Sequence, residues 1–207
     1  MAKNSNYFVC TSCGYETVKW MGKCPSCQEW NTFEEVSEVK SSKTDKVREI
    51  ELDTVFDIDY NESSRISSGI EEMDRVLGSG IVSGSVILVG GDPGIGKSTI
   101  LLQLCQHVQT DKDILYISAE ESISQLGLRA KRIGLKRSNV KLASETDTDV
   151  ICKAIIDTKP AVAVVDSIQT MYSPEISSAP GSVSQVREAT LGLMKIAKQD
   201  GIATFIV

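Results

Sequence analysis

No feature of this 207-residue chain narrows its fold more than the segment Gly91-Asp92-Pro93-Gly94-Ile95-Gly96-Lys97-Ser98. It has the form G-x-x-x-x-G-K-S and joins an unbroken apolar run, residues 85–89, to a helical stretch, residues 98–108. Glycines let the backbone wrap so that its N–H groups converge on phosphate oxygens. The amino end of the following helix adds positive potential at the same point. Lys97 has the reach to meet β- and γ-phosphates, in a catalytic as well as a binding role, and the Ser98 hydroxyl suits Mg²⁺. A glycine-rich turn that held no nucleotide would have no need of Lys-Ser in this register.

Downstream, the chain keeps the rhythm that such a loop requires. Strand-like runs at 113–117, 140–143, 161–165 and 202–207 alternate with helical stretches at 122–133, 150–158 and 184–199. A short amphipathic segment, 69–77, precedes the loop strand. Continuous apolar strands separated by helices indicate an α/β fold with a mostly parallel sheet covered on both faces. Composition agrees: 41% hydrophobic and 24% charged residues exclude a wholly disordered chain. No apolar run approaches the roughly 18 residues of a membrane span, and the first residues do not form a secretory leader. The 203–207 strand is followed by neither turn nor polar tail, so the chain is expected to be a piece of a longer protein.

A phosphate loop needs a carboxylate on a neighbouring strand. Asp166, after the apolar run 161–165, is placed to hold the Mg²⁺ shell. Hydrolysis also needs a group that orients or deprotonates water. Ser167 follows Asp166, so that group comes from elsewhere. Glu120 and Glu121, just past the 113–117 strand, are the candidates, with Glu120 preferred. Both also suit the amino end of the next helix, where acids are favourable, and Glu121 fits that role better.

The first 33 residues are a separate unit. They hold four of the six cysteines, Cys10, Cys13, Cys24 and Cys27, and six of the eleven aromatics. Two C-x-x-C pairs ten residues apart match a tetrahedral Zn²⁺ site. So small a unit builds little core, and metal would supply its folding free energy. Disulfides or a redox motif are the alternatives, and iron in a rubredoxin-like site is the other metal. The nucleotide loop and the lack of a leader point to a reducing, cytoplasmic setting and so to zinc. Trp20 and Trp30 could stack on bases, anchor a protein or cover the metal. Residues 34–64 are charged and read as a linker, with 50–58 either an arm or more linker. The ATPase core is expected at 65–207. His107 reads as an ordinary helix residue.

Four segments carry a family resemblance: Ile66 to Gly78, Gly90 to Thr99, Tyr116 to Ser122, and Val164 to Thr170. Together they resemble the RecA-like ATPase core. The cysteine unit in front narrows this to the RadA (Sms) family of bacterial DNA repair ATPases. The resemblance implies that residues 91–99 bind ATP, that Glu120 is the water-activating base, and that Zn²⁺ and Mg²⁺ are required. It also implies single-stranded and branched DNA as substrate, branch migration or unwinding together with the RecA recombinase, and hexameric rings. The resemblance also implies that the chain continues past position 207 with a polar strand-end residue, a lysine/arginine-containing motif and a Lon-protease-like domain. A RecA-like signalling or clock-type ATPase or kinase is the alternative.

The net charge of −6 makes any nucleic-acid contact local. The 171–184 loop is one candidate, acting through backbone N–H groups and hydroxyls, with Arg187 the nearest cation. The run Arg129, Lys131, Arg132, Lys136, Arg137 and Lys141 is the other, although a solvated helix face explains it better.

Overall fold

The computed structural model describes residues 6–37, 54, 65–176 and 178–207. Most of the expected linker, including the alternating 50–58 stretch, lies outside the described residues.

The amino-terminal unit is a ribbon of three antiparallel strands, β1 (Asn6–Cys10), β2 (Glu16–Thr17) and β3 (Phe33–Ser37), in the order β2-β1-β3. Strand β3 runs to Ser37, four residues past the boundary expected from composition. Pairing with β1 is what extends it, because Asn6 stands opposite Ser37 and Cys10 opposite Phe33.

The larger unit contains β4 (Val86–Leu88), β5 (Ile114–Ser118), β6 (Val140–Ser144), β7 (Val162–Asp166) and β8 (Ala203–Ile206). They form one sheet in the order β4-β8-β7-β5-β6, with every pairing parallel. Five helices cover it: α1 (Glu71–Val76), α2 (Lys97–His107), α3 (Ile123–Ile133), α4 (Thr148–Thr158) and α5 (Val183–Asp200). Alternate strand residues serve opposite cores. Ile114, Tyr116, Val162, Val164 and Phe205 pack with Leu101, Leu102 and Cys105 of α2 and Leu126 of α3. Leu115, Ile117, Ala163, Val165 and Ile206 pack with Ile151 and Ile155 of α4 and Leu193 and Ile196 of α5. This explains why the strands read as unbroken apolar runs. Among the described residues, no helix is long and apolar enough to cross a membrane.

The helix starts place the loops that matter. Ser122 caps α3 through a reciprocal capping box with Gln125, and Asp147 caps α4 by accepting from the N–H groups of Asp149 and Val150. Ser182 caps α5. The polar segment between β7 and α5 folds around the buried Gln185. That side chain accepts from the Ser173 N–H at 2.7 Å and donates to the carbonyls of Ser173, Ile176 and Ser178 at 3.2, 3.1 and 2.9 Å. Replacing Gln185 with Leu strands these groups without partners. We expect a loss of stability of about 1–3 kcal/mol, read as a lower denaturation midpoint with an unchanged m-value.

Candidate functional site

The carboxyl ends of β4, β5 and β7 and the amino end of α2 enclose a cavity of about 560 Å³. The chain reverses from β4 into α2 through the 91–98 loop. Gly96 at the helix cap has φ of 104°, although a Cβ there would meet nothing within 4 Å. Conformation rather than space therefore calls for glycine at this turn. Gly91, Pro93, Gly94, Gly96, Lys97, Ser98 and Thr99 line the cavity, as do Glu120 and Asp166. Asp92 and Ile95 belong to the loop but do not line the cavity, and Ile95 points largely to solvent. The Lys97 ammonium donates to the Gly91 and Asp92 carbonyls at 2.8 and 3.1 Å, which keeps it over the loop.

Asp166 ends β7 and is buried. Its Oδ2 accepts from the hydroxyl of the fully buried Tyr116 at 2.6 Å. Burial, together with the hydrogen bond and charge of Asp166, pushes the tyrosine pKa far up, so the phenol stays a donor. Tyr116 lies in a segment of the family resemblance, but it is assigned no role there. Its one local signal is a hydroxyl-bearing side chain inside an otherwise aliphatic run.

Glu120 lies beyond the end of β5. Its carboxylate accepts from the Ser167 hydroxyl and, at 3.1 Å, from the Gln169 amide. These two bonds hold its pKa below the usual carboxylate range against a smaller effect of burial, and the positive charges of Lys97 and Arg129 act in the same direction. Ser167 and Gln169, one and three residues after Asp166, thus orient the group that follows the neighbouring strand. Glu121 behaves differently: it forms an ion pair with Arg129. Neither glutamate caps α3, since Ser122 does.

The basic run divides. Lys131, Arg132 and Lys136 are exposed, as a solvated face requires. Lys141 pairs with Asp113 at 2.6 Å, and Arg137 donates to the carbonyls of Val108 and Thr110. Arg129 departs from the solvated reading, because it lines the cavity. His107 is an exposed helix residue.

In the ribbon the sulfur atoms of Cys10, Cys13, Cys24 and Cys27 lie within 4.8 Å of one another, and all four are free thiols. Sulfur separations of 3.7 Å for Cys10–Cys27 and 3.5 Å for Cys13–Cys24 approach the tetrahedron edge of about 3.8 Å set by a Zn–S bond of about 2.3 Å. The two halves are built alike. The N–H of Gly14 bonds to the Cys10 carbonyl and the N–H of Gln28 to the Cys24 carbonyl, and each of these residues has positive φ. Burial raises the Cys10 thiol pKa, but a hydrogen bond with Thr32 and backbone N–H groups bring it down to about 6. For Cys27 a backbone N–H of Glu29 acts downward, while burial and the neighbouring thiols push it up to about 12. Four thiolates this close need a cation to offset their repulsion, and the donor set fits Zn²⁺.

The ribbon also touches the core. Arg187 of α5 donates to Glu16 at 2.6 Å, and a Cβ on Gly14 would lie 3.0 Å from Val183. The nearest cation to the 171–184 loop is therefore already paired. The Ser178, Ser182 and Ser184 hydroxyls bond to one another. The loop offers fewer open hydroxyls than its composition implied.

Residues 8–35 match the family described as a rubredoxin metal binding domain, and residues 66–144 match the family described as the KaiC ATPase. The class is a RecA-like ATPase core behind a four-cysteine zinc ribbon. Over its whole length the chain is 47% identical to the DNA repair protein RadA of Bacillus subtilis and to that of Halalkalibacterium halodurans, and 44% identical to that of Aquifex aeolicus. The chain is thus similar to RadA proteins along its whole length, and it spans about half the length of these relatives, 47% in each case.

Removing metal with a strong chelator should unfold the ribbon before the core. Both tryptophans of the chain, Trp20 and Trp30, are in the ribbon and exposed. Their emission should change on chelation while far-ultraviolet ellipticity from the core helices persists. Cys24→Ser should reproduce the change without chelator.

Proposed function

We propose that this chain is the nucleotide-hydrolysing part of a RadA-type DNA repair ATPase. One observation carries the reading. Glu120 is held as a carboxylate by donors from the turn that follows Asp166, in the cavity that Lys97 lines. That arrangement suits activation of water against a terminal phosphate.

In this reading the ATP phosphates lie along the 91–98 loop, where backbone N–H groups and the amino end of α2 meet them. Lys97 leaves the loop carbonyls for the β- and γ-phosphates, and Thr99 lines the site behind it. Ser98 and Asp166 would hold Mg²⁺, which neutralises phosphate charge when bound. Tyr116 keeps Asp166 aimed. Glu120 accepts the proton of the attacking water, and Ser167 and Gln169 hold it in place while it does so.

The DNA side of the proposal rests on the named function of the relatives and on the 171–184 loop. That loop follows directly from the Asp166 strand, so a change at the nucleotide reaches it through Ser167 and Gln169. Single-stranded or branched DNA is the proposed substrate, in hexameric rings acting with the RecA recombinase to promote branch migration or unwinding. ATP turnover with and without single-stranded DNA tests this: stimulation by DNA supports the reading, and equal turnover with nucleotide-independent DNA binding argues against a motor.

Lys97→Ala should abolish tight nucleotide binding. Glu120→Gln should keep binding and lower kcat by about 10²–10⁴; unchanged turnover would move the base elsewhere. The pKa shift has a definite sign. With its pKa held low, Glu120 stays ionised as pH falls, so activity persists into mild acid. The pair Ser167→Ala and Gln169→Ala removes the lowering bonds, and the acid limb of the kcat profile should move to higher pH.

A further inference from the structure

The Glu121–Arg129 pair has no part in the proposed chemistry, yet it stands at the edge of the nucleotide cavity. Four observations bear on its purpose. Arg129 lies on α3 one turn from the buried Leu126 and beside Ala130, so its side chain leans inward and is only 29% exposed. It lines the same cavity as the 91–98 loop and Glu120. Its charge is felt by Glu120 and by Tyr116, the partner of Asp166. Its ion-pair partner Glu121 is itself only 25% exposed, and the Glu121 N–H is fixed by the Ser118 hydroxyl at 2.9 Å. A helix-surface ion pair made only for solubility would face water on both sides. This one is half-buried, and its acidic partner is anchored at the backbone by Ser118.

We propose that Arg129 is a second phosphate-facing cation of the site and that Glu121 is its positioning residue. The inference rests on the reading of the cavity as a nucleotide site and assigns a specificity to it. Glu120 acts where the terminal phosphate of ATP lies, and Arg129 is on the Glu120 side of the cavity. Its guanidinium therefore meets the γ-phosphate and adds little to a diphosphate, which Lys97 and the loop already hold. A planar guanidinium offers several N–H donors at once. It can keep one bond to Glu121 while another goes to phosphate oxygen. Glu121 limits the reach of that cation, so that it meets the γ-phosphate without pairing with Glu120 and quenching the base. The second glutamate, an alternative base by sequence, becomes the anchor of a charge.

The test compares binding of ADP and of a non-hydrolysable ATP analogue, each with Mg²⁺, to the full chain. Arg129→Ala should weaken the triphosphate analogue about tenfold or more and ADP less than about threefold. Arg129→Lys should recover part of the loss, since the charge is kept and the fork is not. Glu121→Gln should give a smaller loss with the same preference, and no added loss when combined with Arg129→Ala. Ellipticity and melting curves verify that α3 is intact in each variant. The proposal is overturned if Arg129→Ala leaves both affinities unchanged, or lowers both by the same factor. Lys97→Ala separates that failure from failure of the site reading: if wild type binds both nucleotides and Lys97→Ala binds neither, the cavity is the nucleotide site whatever Arg129 does. If wild type binds neither, the site reading itself is wrong.

Discussion

The register between β5 and β7 is the constraint on which the site depends. Ser118 stands opposite Asp166, and the Ala119 N–H bonds to the Asp166 carbonyl at 2.7 Å. Two residues past this point on β5 is Glu120, and one residue past it on β7 is Ser167, and these two meet. A slip of one position would turn every side chain of β5 to the opposite face. It would send Tyr116 into the wrong core and remove the donor to Asp166. The two cores on either side of the sheet thus fix the polar groups at its end. Ile114 and Tyr116 can pack only with the α2 side, and Leu115 and Ile117 only with α4 and α5.

The site divides its charges between elements that cannot move independently. Lys97 is on α2, Glu120 follows β5, Asp166 ends β7, and Arg129 is on α3. The acidic groups come from strand ends and the cations from helices. The low pKa of Glu120 is a local consequence: two neutral donors do most of the lowering, and the cations add to it. A carboxylate so held keeps its charge without a paired histidine.

The ribbon obeys a different logic. Its buried hydrophobic residues are few, with Phe33 and the cysteines Cys10 and Cys24 forming most of its small core. The two knuckles repeat one backbone turn, and four sulfurs converge in place of a larger apolar interior. Its contact with the core through Glu16 and Arg187 is exposed at both ends, so it contributes little stability. Its effect is on charge: it pairs Arg187, the cation nearest in sequence to the 171–184 loop.

Much was legible in the sequence because it depends on neighbours in the chain. The 91–98 loop, the paired cysteines and the apolar strands are local patterns, and each element forms close to where those patterns place it. The end of the ribbon was not local: residues 34–37 look like linker by composition and become strand because β1 lies beside them. The run from Arg129 to Lys141 reads as one charged face, yet the turn of α3 points Arg129 into the cavity and leaves its neighbours in water. Tyr116, Ser167 and Gln169 fall within the segments that carry the resemblance, but no local pattern assigns them a role, since their partners Asp166 and Glu120 are 50, 47 and 49 residues away. By itself the sequence determined which chemical groups this protein owns and the order in which strand, loop and helix present them. Only the tertiary structure decided which groups meet, because parallel pairing joins residues that the chain keeps far apart.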